Sequence, residues 1–281
     1  MSTPHAELHD ELLSLASRLA LAAGTMARDG RATRGITDAD TKSSSTDVVT
    51  EFDRASEELI VGGILAARPG DAVIGEEGTS RAGTSGIHWL IDPIDGTTNF
   101  LYGLAGWAVS IAARSSADDP AATEVGVVHV PATGEVFAAA RGRGAWVTDA
   151  RGTRPLRCSD TTDLSLALVA TGFSYQPERR AAQARRVAAM MPQVRDVRRL
   201  GAAAPDLCYA GAGRVDVYFE EFLGPWDLAA GELIAREAGC RTGSLDGGPV
   251  RPSSVLVANP ALFDQALDLI QASTPGSGLP S

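Results

Sequence analysis

Two aspartates three residues apart, Asp92 and Asp95, follow the apolar segment 89–91 and are separated by Pro93 and Ile94. If the proline turns the chain, both carboxylates and the Ile94 carbonyl can face one location, giving the all-oxygen shell that a hard cation such as Mg²⁺ requires. Without a cation, two nearby carboxylates repel and one of them protonates. An acidic β-turn is the alternative interpretation, because Asp, Pro and Gly are common turn formers.

The residues that follow this pair could hold an anion. Gly96, Thr97 and Thr98 come directly after Asp95. If they open a helix or a turn, their backbone N–H groups form an anion site that can hold a phosphate beside the cations.

Further acidic segments stand in apolar or glycine-rich surroundings. Glu76 and Glu77 follow a predicted strand at 72–74 and are flanked by glycines. Asp227 precedes an apolar helical pattern, where Asp is also a favoured helix N-cap. The segment 46–53 carries acidic side chains that by themselves could simply cap and decorate a helix.

The bulk composition fits an enzyme with bound cations better than a nucleic-acid-binding protein. The net charge is −10 and the pI about 4.9, so no overall basic field is available for a nucleic-acid backbone. An anionic substrate would then be attracted by bound cations. The N-terminus lacks a signal-peptide pattern, and no apolar run approaches membrane-spanning length.

Cysteine and histidine spacing suggests no disulfide framework and no zinc site. The three cysteines are widely separated and form no CxxC pair, which favours a reduced, cytoplasmic protein. They are Cys158, Cys208 and Cys240. The four histidines are interpreted as structural or exposed, and they are His5, His9, His88 and His129.

The elements that must position these residues alternate between helices and strands. Helices are predicted at 6–26, 48–67, 178–191, 202–212, 227–238 and 260–272. Strands are predicted at 72–74, 88–91, 107–113, 124–130, 135–140, 167–170 and 215–218. An exposed loop or loose hairpin at 29–46 carries Lys42. The alternation indicates an α/β layered fold, divided into an N-terminal half (1–150), a C-terminal half (151–272) and a disordered tail (273–281).

Taken together, the acidic motifs resemble the inositol monophosphatase family, in matching order and spacing from Lys42 to Gly239. The motifs are Lys42-Ser43-Ser44, Asp47-Val48-Val49-Thr50 with Asp53, Gly75-Glu76-Glu77-Gly78, Trp89 through Phe100, and Trp226-Asp227-Leu228-Ala229-Ala230-Gly231. The chain departs from the family pattern at Ala202, where Ser or Thr is usual, and at Gly224-Pro225. These departures put the polyol preference in doubt and leave the metal positions untouched.

The resemblance implies an α+β αβαβα sandwich of the inositol monophosphatase/fructose-1,6-bisphosphatase type, a homodimer, and lithium-sensitive, Mg²⁺-dependent hydrolysis of small phosphomonoesters. It implies two or three Mg²⁺ per site. Glu76, Asp92 and the Ile94 carbonyl match ligands of a first Mg²⁺, and Asp92, Asp95 and Asp227 match those of a second.

The resemblance also assigns roles around the metals. Thr97, paired with Asp53, matches the group that orients a water on the first metal. Glu76 is also among the expected catalytic residues. Lys42 and Glu77 match positions that shape or close the metal site. The expected substrate-binding residues are Asp95, Gly96, Thr97, Thr98, Gly201, Ala203, Glu220 and Asp227. Glu220 would accept a substrate hydroxyl hydrogen bond, although Glu220 and Glu221 can also be read as a charged strand end.

The expected reaction is hydrolysis of inositol 1-phosphate by a metal-activated water. Histidinol phosphate, fructose 1,6-bisphosphate and 3′-phosphorylated nucleotides are the alternative substrates. Arg198 and Arg199 are the nearby candidates for a second phosphate. A further alternative is a non-catalytic family member that binds a protein or RNA partner. The arginine-rich segment 179–199 could then form a basic strip for that partner. The same segment can also be a solvated helix face with a dimer contact.

Overall fold

A computed structural model describes residues 4–42, 48–116 and 119–274. Ser43, Ser44 and Asp47 of the predicted motifs lie outside the described residues, as does the predicted tail after Thr274. The helices of the described chain are α1 (Pro4–Arg34), α2 (Glu51–Ala67), α3 (Thr97–Tyr102), α4 (Pro177–Met190), α5 (Ala203–Gly211), α6 (Pro225–Glu237) and α7 (Phe263–Ala272).

Two sheets and a small hairpin complete the described fold. The hairpin is β1 (Ala39–Thr41) with β2 (Val48–Thr50). The first sheet contains β3 (Ala72–Gly75), β4 (Ser80–Arg81), β5 (His88–Asp95), β6 (Ala108–Arg114), β7 (Thr123–Val130), β8 (Glu135–Ala140), β9 (Ala145–Asp149) and β10 (Gly152–Pro155). The second contains β11 (Leu168–Thr171), β12 (Asp196–Arg198), β13 (Val217–Glu220), β14 (Arg241–Gly243) and β15 (Val255–Ala258).

The eight-stranded sheet runs in the order β10-β9-β8-β7-β6-β5-β3-β4. Among the described strands of this sheet, β3 and β5 form the only parallel pair. The carboxyl ends of these two strands therefore lie side by side. The five-stranded sheet runs β12-β11-β13-β15-β14, with β11 parallel to both β12 and β13.

Helices and sheets alternate in five layers. Helices α1 and α2 bury their apolar faces on one side of the eight-stranded sheet, around Leu12, Ile60 and Trp89. Helices α5 and α6 fill the space between the two sheets, and α4 and α7 cover the outer face of the five-stranded sheet. The predicted αβαβα sandwich is confirmed.

One close contact allows the central layer to approach the large sheet. A Cβ on Gly126 of β7 would lie 2.8 Å from the Cα of Ala230 on α6. Only glycine permits backbones to meet this closely. This contact sets the position of α6, which carries Asp227 at its N-terminal end.

The first helix continues well beyond the predicted end at 26. Helix α1 extends to Arg34, so the loop or loose hairpin predicted at 29–46 begins later. It contains β1, which pairs with β2 beyond the predicted end. The extension has a tertiary cause. The guanidinium of Arg31 lies 5.8 Å from the ring centroid of Phe100, and that of Arg34 lies 5.3 Å from the ring centroid of Phe52. These cation–π contacts favour helical backbone in a polar segment.

Two further predicted boundaries are wrong. The second helix begins at Glu51 and not at 48, because Thr50 caps it and its hydroxyl accepts from the Phe52 N–H at 3.2 Å. The strand predicted to end at 91 continues to Asp95, since Pro93 occupies a register shift between Asp92 and Asp95 and leaves the strand extended. The short strands β4, β9, β10, β12, β14 and β15 were not predicted.

Among the described helices, none has a stretch long and apolar enough to cross a bilayer.

Candidate active site

Three carboxylates from distant parts of the chain meet at the end of the parallel β3–β5 pair. Glu76 directly follows β3, Asp92 lies in β5, and Asp227 lies in the first turn of α6. One oxygen from each lies within 4.8 Å of the others. These three residues, the acidic cluster, could hold a metal ion. Glu76 belongs to the ligand set predicted for the first Mg²⁺, Asp227 to the set predicted for the second, and Asp92 to both.

Burial and mutual repulsion leave these carboxylates poorly compensated. Burial, and then the charges of Glu76, Asp95 and Asp227, raise the pKa of Asp92 well above its usual value. Burial and the charge of Glu76 raise the pKa of Asp227 to about 7. A divalent cation is the ordinary means of holding such groups ionised together.

The bulge in β5 shapes the cluster. The Ile94 N–H donates to Asp92 Oδ1 at 3.1 Å, and Ser56 Oγ donates to the Pro93 carbonyl at 3.0 Å. The turn predicted from the proline is therefore a local bulge that a buried hydroxyl holds. Ile94 lines the same cavity as the acidic cluster, and its carbonyl oxygen lies 3.0 Å from Thr97 Oγ1.

Asp95 is held by the central layer of the fold. Its Oδ2 accepts from the Ala204 N–H at 2.6 Å, at the start of α5. Burial, and then the charge of Asp227, raise its pKa well above the usual value. Asp227 is itself held, since its Oδ2 accepts from the Gly224 N–H at 2.7 Å. It occupies the third helical position after the cap at Gly224, so it is not the N-cap.

The hydroxyl of Thr97 joins α3 to α2. Thr97 Oγ1 lies 3.0 Å from Asp53 Oδ1 and is buried with it. The other oxygen of Asp53 accepts from the Thr50 N–H at 2.8 Å in the capping box of α2. Burial raises the pKa of Asp53, although the hydrogen bonds from Thr50 and Thr97 oppose it.

Lys42 is the cation nearest the cluster among the described residues. Its Nζ lies 2.9 Å from Glu76 Oε1 and 2.6 Å from Glu77 Oε1. Burial opposes ionisation of Lys42, but the charges of Glu76 and Glu77 raise its pKa. Burial raises the pKa of Glu77 to about 7, against the effect of Lys42. Glu57, which the sequence interpretation did not single out, fixes this loop by accepting from the Glu77 N–H at 2.8 Å.

The glycine that precedes Thr97 lies in close contact with a second loop. Gly96 has a φ of +87°, and a Cβ there would lie 2.9 Å from both Ala202 Cβ and the Gly106 carbonyl. Asn99 Nδ2 donates to the Leu200 carbonyl at 2.8 Å and fixes the two loops together. The loop 201–203 is thereby placed beside the acidic cluster.

A cavity of about 300 Å³ opens beside these residues. It contains ten of the predicted site residues, which are Glu76, Asp92, Ile94, Asp95, Gly96, Thr97, Gly201, Ala203, Glu220 and Asp227. Thr98, Asp53, Lys42 and Glu77 do not line it.

Glu220 lies at one side of the cavity in a polar network. Tyr218 Oη donates to Glu220 Oε2 at 2.8 Å. Burial raises the pKa of Glu220 to about 7, although Tyr218 and Arg199 oppose it. Burial and the charge of Glu220 raise the pKa of Asp206, which is buried.

Sequence reasoning missed the loop 172–176 that closes the cavity and the contact of Arg179 with Phe222. The Arg179 guanidinium lies 4.1 Å from the Phe222 ring centroid, and Phe222 has a φ of +68°. A positive φ at a bulky residue is strained and often marks a functional site. The sequence of these segments contains no pattern of residue types that could have predicted the loop's place at the cavity or this contact.

The sequence profile of the inositol monophosphatase family matches residues 8–274. The chain belongs to the inositol monophosphatase family. Among its relatives in this family is an inositol-1-monophosphatase of Mycobacterium leprae, 46% identical over 237 residues, which cover 82% of this chain and 80% of the relative. A relative from Pasteurella multocida, named Nus factor SuhB, is 40% identical over 264 residues, covering 92% of this chain and 96% of the relative.

Solved structures of inositol monophosphatase family members have the same fold. Mycobacterium tuberculosis SuhB superimposes with a TM-score of 0.80 at 39% identity, covering 96% of this chain and 98% of that chain. The predicted family is confirmed.

Proposed function

We propose that this protein hydrolyses inositol 1-phosphate to myo-inositol and phosphate in a Mg²⁺-dependent reaction. The observation that carries the proposal is the convergence of Glu76, Asp92 and Asp227 within 4.8 Å, beside a cavity of about 300 Å³. The name of the Mycobacterium leprae relative, inositol-1-monophosphatase, supports the substrate.

The acidic residues fit a hard cation, because they offer only oxygen ligands. Burial and mutual repulsion raise the pKa values of Asp92, Asp95 and Asp227, which supports a bound cation that keeps them ionised. Glu76, Asp92 and the Ile94 carbonyl would hold one Mg²⁺, and Asp92, Asp95 and Asp227 a second. When bound, the cations would lower the pKa of a water and neutralise the charge on the leaving oxygen.

The protein's own residues would orient the attacking water. A hydroxyl has one hydrogen, and the negative charge of Asp53 favours donation of the Thr97 hydrogen to Asp53 Oδ1 rather than to the Ile94 carbonyl. The lone pairs of Thr97 Oγ1 would then accept a hydrogen bond from the water. The backbone amides of Gly96 and Thr97 would contact the phosphate, and Lys42 with Glu77 would shape or close the metal site.

Charge around the leaving group favours a polyol over an amine. Glu220 would accept from a substrate hydroxyl, and Gly201 and Ala203 would contact the ring through their backbone. A histidinol phosphate amine would require further ionised carboxylates here. However, Glu221 Oε2 already pairs with Arg186 Nη1 at 2.6 Å, and burial disfavours ionisation of Asp206.

The test is phosphate release from inositol 1-phosphate, histidinol phosphate and an aryl phosphate, each with Mg²⁺ and with EDTA. We expect the highest kcat/KM for inositol 1-phosphate and no turnover in EDTA. Full activity in EDTA, or no release from any monoester, would contradict the catalytic proposal. A higher kcat/KM for histidinol phosphate would change the proposed substrate but would leave the proposed phosphatase activity standing.

A partner-binding role is a second candidate, which the Nus factor name of the Pasteurella multocida relative favours. The basic strip first considered for it is partly engaged within the chain, because Arg186 pairs with Glu221 and Arg179 stacks on Phe222. We infer that catalysis is the primary function, in a reduced cytoplasmic homodimer. A catalytically inactive variant separates the two roles in cells. If the cellular function of the protein is lost in that variant, the function depends on catalysis and not on partner binding alone.

A further inference from the structure

We propose that His5, His9 and Glu124 form a second metal site, selective for a zinc-class divalent cation. The site shares no residue with the acidic cluster described above. His5 and His9 lie four residues apart in the first turns of α1, and Glu124 lies in β7. The interpretation of these histidines as merely structural or exposed overlooked this spacing, which places both rings on one helix face.

The three side chains converge on one point. His9 Nε2 lies 2.9 Å from Glu124 Oε2, and His5 Nε2 lies 3.6 Å from the same oxygen. All three ligand atoms lie within 4.8 Å of one another. Two ligands of a tetrahedral Zn²⁺ are separated by roughly 3.3 Å, given Zn–N distances of about 2.0–2.1 Å. The two observed separations bracket that value.

A hydrogen bond alone does not account for the arrangement. The bond between His9 and Glu124 needs only one imidazole. The second imidazole, on His5, lies beyond hydrogen-bond distance of the same oxygen but directs its Nε2 toward it. A shared cation explains why both rings present the same nitrogen to one carboxylate oxygen.

The other carboxylate oxygen is held separately, so that Oε2 is left facing the imidazoles. Ser115 Oγ donates to Glu124 Oε1 at 2.7 Å, and Arg141 Nη2 lies 3.3 Å from it. Outer contacts of this kind orient ligands in protein metal sites. Glu124 and His9 are buried, whereas the His5 side chain is 64% exposed and provides the route by which a cation enters.

The donor set determines which cation is bound. Imidazole nitrogens favour Zn²⁺ and neighbouring transition metals, whereas Mg²⁺ prefers oxygen ligands only. Two histidines and one glutamate leave one coordination position open. A bound ion would fix the first turn of α1 to β7 and stabilise the folded state, because it binds that state alone.

The experiment compares zinc binding by the full chain and two single variants. The metal-free protein is dialysed with low Zn²⁺ and an excess of Mg²⁺, so that Mg²⁺ competes with Zn²⁺ for the oxygen-only acidic cluster. Bound zinc is then measured by mass spectrometry. His5→Ala removes the exposed ligand with little risk to the fold, and His88→Ala, at a half-buried histidine outside the cluster, is the matched control. Circular dichroism checks that each variant is folded.

We expect the wild type and His88→Ala to bind one more zinc per chain than His5→Ala. The zinc affinity of His5→Ala should fall at least tenfold, which is the lower end of the loss seen for outer-shell changes alone. Zinc should raise the Tm of the wild type and of the control but not that of His5→Ala. Co²⁺ should give the intense visible absorption of a four-coordinate site in the wild type and in His88→Ala but not in His5→Ala.

Equal zinc content in the wild type and His5→Ala would overturn the proposal, as would equal losses in His5→Ala and His88→Ala. Mg²⁺-dependent phosphate release should be unchanged in His5→Ala. The result is therefore independent of the proposed phosphatase activity.

Discussion

Thr97 Oγ1 lies 3.0 Å from Asp53 Oδ1 and joins the first turn of α3 to the first turn of α2. The two residues are 44 positions apart in the chain. Because Asp53 also completes the capping box of α2, the helix that packs on the large sheet determines where the Thr97 hydroxyl is held. Helix capping and the placement of a site hydroxyl are thus served by a single carboxylate.

Thr97→Val should lower kcat by about 10²- to 10⁴-fold, the usual effect of losing a group that assists proton transfer. Valine keeps the shape but removes the hydroxyl that would orient the water. Thr97→Ser should retain most activity, since it keeps that hydroxyl. Thr153→Val is the control, because Thr153 is exposed on β10 and does not line the cavity. Steady-state kinetics with inositol 1-phosphate provide the measurement. Equal turnover in Thr97→Val and Thr97→Ser would refute the role.

Asp95→Asn should lower kcat by orders of magnitude while the fold stays intact. Asparagine retains an oxygen that can accept from the Ala204 N–H, but it removes the charge that would bind a second Mg²⁺. Asp268→Asn, at an exposed position of α7, is the control. Kinetics and circular dichroism measure the two properties separately. Near-normal turnover in the folded Asp95→Asn variant would exclude Asp95 as a metal ligand.

Local sequence predicted the parts of the site that local chemistry determines. The run from Asp92 to Thr97 concentrates carboxylates, a proline and hydroxyls, so its position at the acidic cluster could be predicted from residue type alone. The bulge within it could not, because it depends on Ser56, which lies 37 residues earlier and donates to the Pro93 carbonyl. Similarly, the end of α1 at Arg34 depends on contacts with Phe52 and Phe100.

Other features of the site have no sequence signal. The loop 172–176 lines the cavity through its position after β11, and its residue types carry no ligand pattern. The contact between Arg179 and Phe222 joins two segments that no periodicity connects. In contrast, a layered α/β architecture could be predicted from the alternation of helices and strands, because each apolar face must be covered by a neighbouring layer. The αβαβα order of the layers came from the resemblance to the family.

The free energy of unfolding should fall as the pH rises from about 4.5 to about 7 in metal-free protein. Burial raises the pKa of Glu220 from 4.5 to about 7, while Tyr218 and Arg199 oppose this and Asp227 adds to it. The folded state therefore binds more protons in this window, and stability is lost as those protons dissociate. The loss is complete once the pH is well above 7, where Glu220 is ionised in both the folded and the unfolded state. The buried Asp206 and the half-buried Asp227 contribute with the same sign.

Glu220→Gln should reduce this pH dependence by about 1–3 kcal/mol between pH 5 and pH 8. Urea denaturation in EDTA at the two pH values measures it. Glu58→Gln is the control, because Glu58 is exposed and its substitution should leave the dependence unchanged. If Glu220→Gln and the wild type lose stability equally, Glu220 does not hold a proton in the folded state.

The same Glu220→Gln substitution should chiefly weaken the preference for a polyol phosphate. Glutamine can still accept one hydrogen bond, but it loses the charge that makes a carboxylate a strong acceptor from a hydroxyl. We expect kcat/KM for inositol 1-phosphate to fall by about 10- to 100-fold, which corresponds to a lost charge-assisted hydrogen bond of roughly 1.5–3 kcal/mol. An aryl phosphate has no ring hydroxyl, so no hydrogen bond to residue 220 is lost. Its kcat/KM should therefore stay within about threefold of the wild type, a change of less than about 1 kcal/mol.

The comparison of the two substrates distinguishes recognition from catalysis. Glu220 lines the cavity but is not among the three residues whose carboxylate oxygens meet within 4.8 Å. Its loss should therefore leave metal binding unchanged, which the Mg²⁺ dependence of aryl phosphate hydrolysis measures. An equal fall on both substrates would assign Glu220 to the general reaction, because the carboxylate would then act on the phosphate that both substrates share.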